Sequence, residues 1–205
     1  VTTLNQAVTR IGLSQVKNIA TAMALEQLFV SHTPEIAQRM NMLWQETAQV
    51  TAVAMACLKY YLQHHKHDSL NLDTMTLAGL IHQIGVLPIL AEAEKYPEVF
   101  GEEKFLQHAV QDYAGTIGVA IMNYWDFAET FSQVVKNYQQ LSANSPIHYT
   151  DFIRLGRLTL QPLQNKAEVS QLLMVYQQSG LIPSSDFVQN PEIALWVEEA
   201  KALFS

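Results

Sequence analysis

An all-α fold is predicted by three observations. Apolar residues recur at three- and four-residue spacing along nearly the whole chain, and no stretch alternates apolar and polar residues with the β-branched enrichment of a strand. The breaks carry helix punctuation: Thr or Asn before the start, proline at a first helical position, glycine at an end.

Composition bounds the function classes. With 205 residues, 49% hydrophobic and 15% charged, the chain can bury one sizeable core. No basic leader opens it, and no apolar run approaches the ~20 residues of a membrane span, so a cytoplasmic protein is expected, with no membrane partner. Cys57 has no second cysteine to pair with and lies among Val53, Ala54 and Ala56, as a buried thiol in a reducing compartment would. Net charge is −7 and the basic residues are scattered, which provides no footprint for nucleic acid.

Leu4, Ala7, Val8 and Ile11 share one helical face, and Gly12 can end that helix. A second helix opens at Ser14, uses Val16, Ile19, Ala20, Met23 and Leu28, and closes near Ser31 and His32, forming a hairpin with the first. Thr33-Pro34-Glu35 is a cap, a first-turn proline and a first-turn acid. The long helix it starts buries Ile36, Met40, Leu43, Trp44, Thr47, Val50, Ala54, Cys57, Leu58 and Tyr61, and nothing before His64 stops it. His64, His65 and His67 fall in a polar loop without the fixed geometry of a metal site.

Leu72 to Gln83 is expected as a helix capped by Asn71 or Asp73, ending around Gly85, and Val86 to Lys95 as another, with Pro88 in its first turn. From Glu102 onward, Phe105, Leu106, Ala109 and Val110 form one face. Ala114 to Trp125 follows, with Gly115 and Gly118 explained by close helix packing. Phe127 to Tyr138 continues the pattern, and Ser142-Ala143-Asn144-Ser145-Pro146 is a loop. Helices over Ile147 to Leu160 and Ala167 to Gln178 precede Gly180. Asn190-Pro191-Glu192 then starts a last one carrying Ile193, Leu195, Trp196, Val197 and Leu203. One domain over 1–182 is expected, with a helical extension over 183–205 packed on it.

Serine-nucleophile motifs, phosphate loops, dinucleotide fingerprints and paired-cysteine metal spacings are absent. His82 remains, on a mostly apolar helix, where a histidine is ordinarily a packing residue. His148 and Asp151, beside Thr150, read as a helix N-terminus.

Four segments occur in a familiar order: Leu4 to Gly12, Leu43-Trp44-Gln45-Glu46-Thr47, Ala78-Gly79-Leu80-Ile81-His82-Gln83-Ile84-Gly85, and Ile117 to Trp125. Together they resemble the HDOD domain, the HD-related output domain of bacterial signalling proteins, over roughly Leu4 to Leu160. The resemblance implies an HD-like multi-helix bundle without a sheet, and by it the family helices that would precede Leu4 are expected to be missing. It also implies a site inherited from metal-dependent phosphohydrolases, whose ligands would fall on Glu46, on His82 and Gln83, and near Gly156 in Leu155-Gly156-Arg157.

Of these positions only His82 keeps a ligand of the family's type. Two further histidines found in many members correspond to Ala114 and to Tyr138-Gln139. The site is therefore expected to be vestigial: no metal, no cofactor and no hydrolysis, with His82 and Gln83 hydrogen-bonding buried groups and Trp44, Tyr124 and Trp125 able to wall the old pocket. The function implied is a non-catalytic signalling module that recognises a protein partner. The alternatives are a degenerate phosphohydrolase, and a nucleotide or other small-ligand sensor that uses the old pocket.

Overall fold

The computed structural model describes residues 30–66, 69–160 and 166–204, with isolated positions at 16, 20, 23–25, 27 and 28. The N-terminal hairpin expected before Thr33 lies outside the described residues apart from those positions, as do His67 and Asp68.

Helix α1 (Pro34–His64) is the axis of the molecule. It runs unbroken to His64, and its middle is buried on nearly every side: Val50, Thr51, Ala52, Val53, Ala54, Ala56, Cys57 and Leu58 are all in the interior. A helix apolar all round is one that neighbours surround, and its small side chains let them come close. Its start is capped from elsewhere. Thr33 makes no side-chain cap; instead a Glu94 carboxylate oxygen accepts from the backbone N–H of His32 and Thr33 and from the Ser31 hydroxyl, at 2.7 to 2.8 Å. An acid at a helix N-terminus meets unpaired N–H groups and the positive end of the dipole. These bonds, that of Ser31 foremost, hold Glu94 below the usual carboxylate range.

α2 (Leu72–Ile81) begins where Asn71 accepts from Thr74 N at 2.8 Å. It stops earlier than the periodicity predicts, because residues 82–85 form a turn, and α3 (Val86–Lys95) follows. The stretch Leu72–Lys95 has the length and composition of a membrane span, yet the turn divides it and 78% of its most apolar window is buried as core.

A short α4 (Pro97–Phe100) leads to α5 (Glu103–Tyr124), a single helix that Gly115 and Gly118 do not break. Gly85 shows why glycine stands at the α2–α3 turn: a Cβ there would lie 2.0 Å from the Ala114 carbonyl oxygen of α5. Within α5, Leu106 is buried whereas Phe105 is largely exposed, its ring edge-on to Phe100 at 5.4 Å.

α6 (Glu129–Asn137) pairs with α5, and α7 (Tyr149–Leu160) crosses the middle of α1. α8 (Lys166–Gln178) ends at Gly180, whose φ of 73° favours glycine. A 3-10 turn at Phe187–Gln189 then leads to α9 (Pro191–Lys201), capped as expected by Asn190, which accepts from Glu192 N and Ile193 N. Leu195 points outward rather than onto the buried face.

The main core joins Val50, Leu58 and Tyr61 of α1 to Phe152, Ile153 and Leu155 of α7, Tyr176 of α8 and Ile193 and Val197 of α9. The final helix thus shares the central core. A second cluster packs Ile36 and Met40 against Val86, Ile89 and Leu90 of α3 and Leu106 of α5, and a third joins Ile81, Ile84 and Leu87 to Met122 and Val135. Each such side chain contributes roughly 1.5–3 kcal/mol by leaving water. Among the described residues there is no strand, so the fold is all-α, as the spacing predicts.

One buried ionic network ties the α6–α7 loop down. Asp151 accepts from Asn144 N (3.0 Å), Asn144 Nδ2 (3.0 Å), His148 N (2.9 Å) and Tyr176 Oη (3.1 Å), and pairs with Arg154 Nη1 at 3.2 Å. Arg154 also donates to the carbonyls of Ser142 and Asn137. His148 and Asp151 are therefore the start of α7, and their polar atoms are spent on it.

Candidate functional site

α1 and α2 pack antiparallel, and three contacts fix their register. Glu46 meets Gln83, Thr51 meets Gly79, and Met55 meets Thr76. At the Gln83 end of that ladder stands His82, 1% exposed, which is the last residue to close the α2 turn. Its Nδ1–H donates to the Gly79 carbonyl at 2.5 Å, a bond that leaves Nε2 as the unprotonated nitrogen. His82 Nε2 is buried with no hydrogen-bond partner, and so is Thr47 Oγ1, one residue after Glu46 on α1. Burial, only partly offset by the Gly79 bond and reinforced by the positive Arg157, pulls the imidazole down to about 3. The ring is a neutral base held out of water.

Gln83, also buried, reaches Glu46 across the helix pair: Nε2 to Oε1 is 3.5 Å, a long hydrogen bond. On the other side of His82 stands Tyr138, edge-on with ring centroids 5.1 Å apart. Tyr138 is buried, its hydroxyl accepts from Gln139 Nε2 at 2.8 Å, and burial pushes its pKa above the usual phenol range. Arg157 closes the cluster. Its guanidinium lies 5.0 Å over the Tyr138 ring and Nη1 donates to the Tyr138 carbonyl at 3.0 Å. Desolvation lowers its proton affinity, while the charges of Tyr138 and Glu46 raise it.

Glu46, His82 and Gln83 are brought together as the resemblance implies. Gly156 is not with them. It faces α1, where a Cβ would sit 2.5 Å from the Val50 carbonyl oxygen, so it serves helix contact. Arg157, the next residue, is the one α7 turns toward the cluster. Sequence reasoning missed it because a cation is not a metal ligand. The available signal was its place one residue beyond Gly156.

The three aromatic residues expected around the old pocket separate. Trp44 is buried with Leu80 in a small core of its own. Tyr124 and Trp125, 88% and 43% exposed, sit at the end of α5 and line a different cavity. That groove, of about 690 Å³, is walled by Met40, Ile84, Leu87, Pro88, Ile117 and Ile121, and among the described residues no charged side chain lines it. A third feature is a polar cleft of about 370 Å³ over Tyr138, lined by Asp112, Thr116, Lys136, Gln139 and Gln140. His64 and His65 bond to the carbonyls of Tyr60 and Tyr61, so they cap α1 rather than converge.

A catalytic divalent ion needs several anionic or imidazole donors aimed at one point. The residues present are one neutral imidazole, one amide, one carboxylate and a guanidinium, and they do not fit. Among the described residues no group of three or more His, Cys, Asp or Glu could hold an ion.

The HDOD domain family model matches residues 1–141, a span that contains Glu46, His82 and Gln83 and ends before α7. A crystal structure from Shewanella amazonensis SB2B, of a protein provisionally named a metal-dependent phosphohydrolase, is 37% identical with a TM-score of 0.88; the match covers 100% of this chain and 74% of that one. No curated protein matches.

Proposed function

Because the chain belongs to the HDOD domain family, we propose that it is a non-catalytic regulatory module of a bacterial signalling pathway, cytoplasmic, which acts by binding a protein partner. The observation that carries this reading is the donor set. In place of converging acids, the inherited site holds a neutral buried His82, the amide of Gln83 and the guanidinium of Arg157. Such a set, with Glu46 its single carboxylate, does not suit the divalent ion that would activate a water for attack on a phosphoester. The apolar groove beneath Tyr124 and Trp125 supports the partner half of the reading, since exposed apolar patches mark interaction surfaces.

Two assays test it. Turnover of a panel of phosphomonoesters, phosphodiesters and nucleotides with added Mn²⁺ is expected to equal the buffer blank. Turnover that His82→Ala abolishes would restore the phosphohydrolase reading, which the name of the Shewanella protein favours. Affinity capture from native lysate is expected to retain specific proteins that a Trp125→Glu variant loses, and identical captures would remove the support for a partner at this face.

Small-ligand sensing is the second reading, favoured by the polar cleft over Tyr138. It requires a nucleotide or cyclic dinucleotide to raise the melting temperature by mass action.

A further inference from the structure

We propose that Arg157 takes the place of a metal ion in this site, supplying from within the chain the positive charge that a divalent cation would bring and excluding that cation. This rests on the site being inherited from a metal-binding ancestor, as in the proposed function, but it assigns the exclusion to one residue.

The geometry is specific. α7 turns Gly156 into the backbone of α1 and so delivers Arg157, its neighbour, to the side where Glu46, Gln83, His82 and Tyr138 meet. Two contacts fix the guanidinium there, the Tyr138 carbonyl at 3.0 Å and the Tyr138 ring 5.0 Å below it, and the charge of the Glu46 carboxylate favours its protonated form. The planar fork of arginine suits this combination of ring face and oxygen acceptors, and it stays charged when largely buried. Its field reaches His82, whose orphaned Nε2 is the one unprotonated nitrogen in the cluster and keeps the lone pair a metal would use.

Two consequences follow. A divalent ion approaching His82 and Glu46 meets a like charge held against Tyr138, the ring that packs on His82, in a poorly solvated site where repulsion is screened less than in water. The loss of an acid at position 83 is then secondary, because restoring it alone would give Arg157 another partner rather than create a metal site.

The test compares three proteins in Zn²⁺ and Mn²⁺ titration calorimetry, with Co²⁺ absorption spectra as an independent readout of coordination: wild type, Gln83→Asp, and Gln83→Asp with Arg157→Asp. Wild type and Gln83→Asp are expected to bind no stoichiometric ion. The double variant is expected to bind one, on the order of 100-fold more tightly or better, and to lose it when His82→Ala is added. Should Arg157→Asp fail to fold, Gln83→Asp with Arg157→Gln makes the same comparison with the charge removed. Equal affinity of Gln83→Asp with and without Arg157 would overturn the proposal, as would stoichiometric binding by wild type. Equal affinity with and without Arg157 leaves the proposed function standing, whereas ion binding by wild type would also remove its donor-set argument; lysate captures that Trp125→Glu leaves unchanged would not touch Arg157.

Discussion

The Nδ1–H of His82 is bonded to the carbonyl of Gly79, one turn back on its own helix, at 2.5 Å. That bond turns the histidine inward onto α2. Its remaining nitrogen lies within the protein without a partner, and the family's most recognisable residue thereby becomes part of the interior.

The first prediction concerns pH. Burial lowers the folded-state value of His82 from 6.5 to about 3. The unfolded chain then binds the extra proton first, so stability is level above pH 6.5 and falls as pH drops toward 3. The slope is at most about 1.4 kcal/mol per pH unit for one group. Urea midpoints of wild type and His82→Gln across that range check it. A wild-type profile no steeper than the variant's would show that His82 is not held neutral.

Removing Asp151 should be far more damaging than its place at a helix start suggests. Asp151→Ala leaves Arg154 buried without its acid and strips acceptors from Asn144, His148 and Tyr176. Breaking one side of a buried pair costs about 3–5 kcal/mol. Denaturant unfolding measures it, and a loss under ~1 kcal/mol would mean the network does little.

Gly156→Ala tests the crossing of α7 over α1. Its Cβ would fall 2.5 Å from the Val50 carbonyl oxygen, which is backbone and cannot swing aside. A destabilisation of about 1–3 kcal/mol is expected from forcing the helices apart. An unchanged unfolding midpoint would show that the approach is looser.

Tyr124→Glu should leave stability within about 0.5 kcal/mol, because the residue is 88% exposed. If partners dock in the adjacent groove, the same variant weakens their capture. Thermal melts and affinity capture separate the two effects, and a large drop in melting temperature would place Tyr124 in the fold instead.

How much of this was legible in the sequence differs from element to element. Helix α9 was readable at its start, because Asn190, Pro191 and Glu192 act within one turn of the backbone they cap. The end of α2 was not. The expected helix runs to Gln83 and ends around Gly85, two residues past the observed end at Ile81, and the close approach of Gly85 to the Ala114 backbone on α5 shows why the turn needs a glycine. Thr33 looked like the cap of α1, yet Glu94, far along the chain, does that work. Phe105 and Leu195 have the right spacing for the core and point away from it, because their neighbours leave that face open.

The site divides in the same way. Sequence alone determined the all-α class and most of the helix order, since these depend on local periodicity, while the family resemblance implied that Glu46, His82 and Gln83 share one site. Tertiary structure decided that Trp44, Tyr124 and Trp125 part company, that Gly156 belongs to a helix crossing, and that Arg157 faces Glu46 and Tyr138. Those outcomes depend on which side of α7 meets α1 and how α5 lies against α3. Such contacts are set by the packing of whole helices, and no single helix encodes them.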